Sequence, residues 1–478
     1  MKILLHSPFR SPIFSSIAAL ATLAMLSGCA SFSTDGGMAD VAAMTRERTG
    51  QIPQHVRSDS ERSSLDKTVR DLLAQPLSAD SAVQIALINN PGLQAKLAQL
   101  GIAEADLVQA GRMRNPGFSF GRLSGGGTVE IDRSVMFDVV GLLTIPMRSK
   151  IESGRFEQAK LQAASDAVNV AGETRRAYFN AVAAQQSMLF MAQAKEAAEA
   201  GAELAQGMLK VGNWNKLDAA REQMAYADTL AQHARSRQYA LATREQLTCR
   251  LGLLRTDQAI VLPATLPDLP TMPRELGKLE AQAMQQRLDV QMAKRDAEAT
   301  ASALGLTRAT RFINVLDAGY INKSENGSPR SNGYEISLEL PIFDWGSAKT
   351  GRAEALYMQA LHRTAETAVR AQSEVRERYA AYRTAYDLSL HYRDEVVPLR
   401  KQISEEMLLR YNGMLASVFD LLADARIQIN AVNAAITAQR DYWLAETDLQ
   451  LAINGSGAAQ ASTALTDTVS TSSTAKEH

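Results

Sequence analysis

Cysteine is nearly absent from these 478 residues: Cys29 and Cys249 are the whole complement. Cys29 falls at the end of a leader, so Cys249 stands alone and no disulfide framework exists. A solitary cysteine in "QLTCRLG" is expected to be a small buried apolar residue. Histidine is sparse and scattered, at His6, His55, His233, His362, His391 and His478. No HExxH, CxxC, GxSxG or Walker pattern occurs, so nothing signals an enzyme, a metal site or a cofactor. "SGGGTVE" is glycine-rich, but no helix follows it to make a phosphate cradle. The methionines fall at helical spacing, as packing residues do. A net charge of -1 gives no basic surplus for nucleic acid. Beyond the leader no apolar run reaches the roughly 20 residues of a spanning helix. If the chain crosses a membrane, it must do so as a closed barrel.

What is present begins with that leader. "MKILLHSPFRSPIFSSIAALATLAMLSGCA" carries Lys2 and Arg10, an apolar run from Ile17 to Leu26, and then small residues. This is a secretory signal over residues 1–28. Its end, Leu26-Ser27-Gly28-Cys29, resembles the bacterial lipobox. That resemblance implies that Cys29 becomes the mature N-terminus, carries acyl chains such as palmitate, and tethers an extension over 29–76. An ordinary signal peptide with a chance cysteine is the plainer reading. Ala30 stands where inner-membrane lipoproteins carry Asp, which favours the outer membrane.

The chain also repeats itself. "QIALINNPGLQ" (84–94) lies about 197 residues before "QAMQQRLDVQ" (282–291). "IPMRSKIESGRFEQA" (145–159) precedes "LPIFDWGSAKTGRAEA" (340–355) by nearly the same distance. "LKVGNWNKLDAARE" (209–222) matches "LRYNGMLASVFDLLADAR" (409–426), with Gly212 against Gly413. Three matches in one order indicate a tandem duplication. The halves, 77–261 and 274–455, meet at "LPATLPDLPTMP" (262–273), too rich in proline for helix. Each half reads as a helix of about 35 residues, a strand pair, a helix of about 60 residues and a return helix of about 35. At 1.5 Å per residue the longest would span about 90 Å. The alanine-rich stretches suit close coiled-coil packing. The last residues, 456–478, have few bulky apolar groups and read as a disordered tail.

Four segments read as strands. "TVEIDRSVMFDVVGLLTIP" (128–146) places Val129, Ile131, Val135, Phe137, Val139, Leu143 and Ile145 on odd positions, against Glu130, Asp132, Ser134 and Asp138 on even ones. Arg133 is the exception on the odd side, expected near a rim or at a bulge. Its partner is 115–123, across the loop "SGGG". In the second half 311–321 and 333–343 flank the polar loop "NKSENGSPRS" (322–331). Four strands cannot close a barrel, because the smallest transmembrane barrels have about 8. Open sheet edges cannot face lipid. The chain must therefore oligomerise, two copies giving about 8 strands or three giving about 12. The long helices favour the wider ring. A soluble β-sandwich appendage is the competing reading.

From about Leu77 to Gly455 the chain resembles the outer-membrane efflux proteins of the TolC type, in particular the lipoproteins that serve RND-type pumps. The likeness is carried by "ALINNPGLQAKLAQLGIAEADLVQAGRMRNPGFSF", by "LPIFDWGSAKTGRAEA", by the two-half repeat and by the lipobox. It implies a homotrimer with a 12-stranded transmembrane β-barrel on a long periplasmic α-helical barrel. A smaller equatorial domain would gather the N-terminus, the linker and the C-terminal end. It implies a passive exit duct that works with a periplasmic adaptor protein and an inner-membrane pump. Two sets of site residues follow. Val211-Gly212-Asn213 matches the turn that meets the adaptor, and Asn412-Gly413-Met414 is its second copy. Asp420 falls where the family places a pore-facing aspartate, and Asp424, one turn on, would share its face. Asp218 is a weaker candidate in the first-half turn. Three copies of Asp420 would form an acidic, cation-selecting ring. Ala423 stands where a second ring residue is common. The alternatives are a coiled-coil structural lipoprotein without a channel, and the exit channel of a type I protein secretion system. The exported substrate, metal ion or drug, is not written in these residues.

Overall fold

The computed structural model describes residues 31–253, 260–312, 315–339 and 343–455. The leader, Cys29 and the tail 456–478 lie outside the described residues. Four helices come first: α1 (Met38–Thr49), α2 (Asp59–Leu73), α3 (Ala79–Asn89) and α4 (Pro91–Ala110). Strands β1 (Gly117–Gly125) and β2 (Thr128–Asp138) lead into α5 (Val139–Lys210), and α6 (Lys216–Arg250) returns. The second half repeats this order. Its elements are α7 (Leu276–Gln286), α8 (Leu288–Thr310), β3 (Leu316–Glu325), β4 (Ser331–Leu338), α9 (Ser347–His391), α10 (Val397–Asn412) and α11 (Val418–Asn454). A π-helical turn, Tyr392–Val396, joins α9 to α10. It precedes Pro398, whose missing N–H leaves one carbonyl of the ladder without its usual donor. No described helix is long and apolar enough to cross a membrane.

The structure differs from the sequence reading in four places. The first 35-residue helix expected in each half is two helices, broken at Asn90 and at Arg287, while the return helices α6 and α11 run unbroken at 35 and 37 residues. Both residues take the same extended conformation, φ -68°, ψ 115° and φ -60°, ψ 124°. The strand expected over 128–146 ends at Asp138. The Asp138 carboxylate accepts the Gly141 N–H at 2.6 Å and caps α5, so the last apolar residues of the segment are helical. The loop expected over 322–331 is shorter, because Asn322 to Glu325 belong to β3. Cys249 is exposed, not buried. Thr243 and Leu247 carry the inward face of α6, and two residues beyond Leu247 is about 200° around the helix.

The two breaks do the same job in each half. Asn90 donates its side-chain amide to the Arg250 carbonyl at 2.8 Å, near the end of α6. Arg287 donates to the Ala452 carbonyl at 2.6 Å, near the end of α11. The final carbonyls of a helix have no partner within the helix. In each half the kink residue supplies one and pins the return helix beside it. Arg287 is 1% exposed, so its charge also needs partners. It forms two bonds to Asp289, at 3.0 and 2.7 Å, and one to Glu374 of α9 at 2.8 Å.

The segment between the halves is held without helix or strand. Its carbonyls are taken by side chains of the long helices: Pro267 by Trp443 Nε1 at 3.0 Å, Pro270 by the Tyr386 hydroxyl at 3.1 Å and Arg274 by the Tyr379 hydroxyl at 3.0 Å. These carbonyls have no partner in a helix or strand, and aromatic side chains of the long helices supply one, Tyr386 while also filling the core. Val69, Leu73 and Leu77 meet Leu262 and Leu266 against Tyr178, Phe179 and Ile436. Leu269 and Leu279 pack with Tyr382, Tyr386 and Tyr442. N-terminal, linker and C-terminal residues thus converge on the middle of the helical bundle.

Candidate functional site

The sheet has the order β1-β2-β3-β4, antiparallel throughout, with β1 and β4 as unpaired edges. Residues directly opposite one another in such a sheet share a face. One face carries Phe118, Val135, Tyr320 and Tyr334 in a single row, then Phe137, Ala318 and Ile336, then Leu316 and Leu338. The other carries Glu130, Asp132, Ser134 and Asp138 beside Asp317, Lys323, Glu325, Glu335 and Ser337. Lys323 lies 3.4 Å from Asp132 and 3.7 Å from Glu130. The apolar face is bare within the chain: Tyr334 is 86% exposed and Phe118 69%. An apolar face of that kind, with two open edges, is not a finished structure in water.

The far end of the bundle is formed by two turns. In the first, Gly212 takes φ +79° and its N–H bonds to the Leu209 carbonyl, while Asn213 bonds to Met208. In the second, Met414 takes φ +59° and bonds to Tyr411, while Leu415 bonds to Arg410. The left-handed position of the second turn is therefore Met414, not Gly413, whose φ is -81°. In space Gly212 corresponds to Met414, one residue out of the sequence match. Val211, Met414 and Leu415 are all exposed, Met414 at 93%. Left-handed geometry costs a residue with a Cβ about 1–2 kcal/mol. Met414→Gly is expected to stabilise the chain by about 1 kcal/mol, and Gly212→Ala to destabilise it similarly, as read by thermal unfolding.

Behind each turn a helix begins on the same cap. Asn215 accepts the Asp218 N–H at 2.8 Å, and Ser417 accepts the Asp420 N–H at 3.2 Å. Asp420 answers by accepting from the Ser417 N–H at 3.0 Å and hydroxyl at 2.7 Å, a capping box. The Ser417 side chain, and then its backbone N–H, hold the Asp420 carboxyl below the ordinary value of 3.8. A depressed carboxyl stabilises above its unfolded value and ceases to as pH falls through its folded one. Amide protection over 417–422, taken relative to the intrinsic exchange rate at each pH, is expected to fall below about pH 3.8, and Asp420→Asn to flatten that dependence.

Asp424 stands elsewhere. It is 6% exposed and accepts from the Ser404 hydroxyl between α10 and α11. The single chain does not offer Asp420 and Asp424 on one open face, because the stripe of α11 that bears Asp424 is the one that meets α10. Two further features of the tip were not singled out in the sequence. Trp214 stacks on Phe419 with centroids 4.2 Å apart and joins the two turns. Arg426 reaches the buried Glu222 at 2.9 Å and ties α11 to α6. The spacings Asn215-x-x-Asp218 and Ser417-x-x-Asp420 are the signal that marks both caps. No sequence signal marks the stack, since Trp214 and Phe419 are not repeat mates.

No family model matches the chain, and no curated protein does. Solved structures do. The Campylobacter jejuni CmeC outer membrane channel superposes with a TM-score of 0.69 at 16% identity, covering 85% of this chain and 89% of that one. A membrane protein from Pseudomonas aeruginosa gives 0.67 at 19% identity, covering 79% and 92%. The open state of the Neisseria gonorrhoeae MtrE outer membrane channel gives 0.66 at 16% identity, covering 78% and 88%. The class the fold defines is thus plain. The chain has the TolC-like fold, mainly helical with a small sheet, in common with the CmeC and MtrE outer membrane channels.

Proposed function

We propose that this chain is the outer-membrane channel of a tripartite efflux system, a passive exit duct for substrates delivered by an inner-membrane pump through a periplasmic adaptor. The observation that carries the reading is the four-stranded sheet: one apolar face, one acidic face and two open edges, mounted on helices far longer than a globular core needs. Three copies pair β4 of one chain with β1 of the next and close 12 strands around a lumen. The apolar face meets lipid and the acidic face lines water. The halves fold as two repeats, 77–261 and 274–455, about the linker. The turns at Val211-Gly212-Asn213 and Asn412-Gly413-Met414 dock the adaptor, with Leu415 adding apolar surface. Asp420 supplies the acidic constriction, and Asp424 behind it fixes α10 against α11.

Cys29 anchors the mature chain by its lipid, with 29–76 as the tethered extension. Membrane attachment then has two independent causes, and Cys29→Ser separates them. The variant, carried by a cleavable leader, is expected to remain in the outer-membrane fraction and to need detergent for release. Release of Cys29→Ser by a salt or carbonate wash would instead indicate a coiled-coil spacer held only by its acyl chains.

A further inference from the structure

Every carboxylate in the four strands lies on one face of the sheet, and both arginines lie on the other. Glu130, Asp132, Asp138, Asp317, Glu325 and Glu335 share the polar face. Arg122 and Arg133 stand on the face that is otherwise apolar, Arg122 opposite Ile131 and Arg133 opposite Phe120. Their position along the strands is not random. Rows made wholly of apolar side chains run from Leu316 and Leu338 up to Phe118, Val135, Tyr320 and Tyr334, and beyond them Phe120, Ile131 and Val129 are interleaved with polar residues. The next row toward the hairpin loops is Phe120, Arg133, Asn322 and Asn332. Arg133 donates to the Asn322 side chain at 3.1 Å, and Asn322 donates to Asn332 at 2.6 Å. Arg122 lies one row further out, and Arg330 two residues ahead of Asn332. Arg122, Arg133 and Arg330 have no acidic partner among the described residues.

We infer that this row binds the phosphate groups of the outer-leaflet lipid, and that the barrel is clamped at its outer rim by phosphorylated lipopolysaccharide. The inference rests on the channel reading above, which turns the apolar face to lipid and the hairpin loops to the cell exterior. Charge on a lipid-facing strand is costly at mid-depth and cheap at the interface, which places Arg133 at the interface. An arginine there, held by a neutral amide and not by a carboxylate, keeps its remaining donors for an external anion. Guanidinium forks match phosphate oxygens in pairs. In the closed ring, β1 of one copy abuts β4 of the next. By the symmetry of the ring each copy then contributes one such row at the same height.

The test uses the full-length purified oligomer with two probes, bis-phosphorylated lipid A and the same lipid stripped of both phosphates. Retention of each is read by native mass spectrometry, and protection by the shift in thermal midpoint. The protein is expected to prefer the phosphorylated lipid by at least about tenfold, since a basic residue near a charged lipid surface contributes several-fold in binding. The R122Q/R133Q/R330Q variant is expected to hold the two lipids within about twofold, and R122K/R133K/R330K to recover only part of the preference, since lysine keeps the charge but not the fork. Equal binding of both lipids by the wild-type oligomer overturns the inference. So does a triple glutamine variant that still discriminates, or displacement by millimolar inorganic phosphate, which would assign the row to soluble anions. Conductance of the same preparation separates the two levels. A conducting oligomer that ignores lipid phosphate removes the rim assignment alone. A preparation that never inserts removes the channel reading with it.

Discussion

Alanine at Arg287 is expected to lower stability by about 3–5 kcal/mol, the usual cost of breaking a buried ion pair from one side. Arg287 is enclosed among α8, α9 and the end of α11, and its removal strands two charges at once. Asp289 and Glu374 lose their counter-charge, and the Ala452 carbonyl keeps only the longer bond from the Gly455 N–H. The contrast with the first half makes the prediction specific. Asn90→Ala removes the equivalent tie, to the Arg250 carbonyl, but leaves no buried charge behind. It should cost only about 0.5–2 kcal/mol, as loss of a polar cap does. Combining Arg287→Met with Asp289→Asn and Glu374→Gln removes all the charge and should recover much of the loss. Thermal and denaturant unfolding of the four proteins reads the order. A loss below about 1 kcal/mol for Arg287→Ala would show that the kink does not hold the second half together.

The second large effect concerns one residue and its neighbour. Ile336 lies on the apolar face of β4, opposite Ala318, and Ser337 lies on the acidic face, opposite Asp317. Ile336→Arg places a cation against lipid. The cost is about 2–4 kcal/mol per copy at mid-depth, incurred in every chain of the ring. Ser337→Arg places the same cation one position along, in the water-lined interior among carboxylates. The first variant should largely abolish membrane-inserted oligomer, and the second should assemble normally. Heat-resistant oligomer in outer-membrane extracts reads both. Equal damage from the two would mean that the sheet does not separate lipid from water.

How far these features could be read in advance depends on what fixes them. The two-faced strands were legible because a sheet face has period two, and residues 128–138 alternate almost without a break. Its end was not, because Val140 and Leu142 only blur the even face while Val139, Leu143 and Ile145 keep to the odd one, and what stops the strand is the Asp138 side chain folding over the Gly141 N–H. The break at Asn90 carried a signal in Pro91. The break at Arg287 carried none, since its cause is a long-range tie to α9 and α11. The tip turns were legible as turns, but their register was not. A glycine suggests the left-handed position, and in the second half that position has passed to Met414. Cys249 was misread because composition says nothing about which side of α6 a residue takes. Asp424 shares a helical stripe with Asp420, yet neighbouring helices decide that one is enclosed and the other capped.

The central claim is that copies of this chain close a water-filled pore through a membrane. Single-channel recording of the purified oligomer in a planar bilayer tests it most directly. Discrete openings from an assembly of three chains are expected, cation-selective because closure would turn the sheet face of Glu130, Asp132, Asp317 and Glu335 to the lumen, with selectivity reduced when these four are made neutral. A stable three-chain assembly that inserts and passes no ions, even when the Asp420 constriction is relieved by Asp420→Ala, would contradict it.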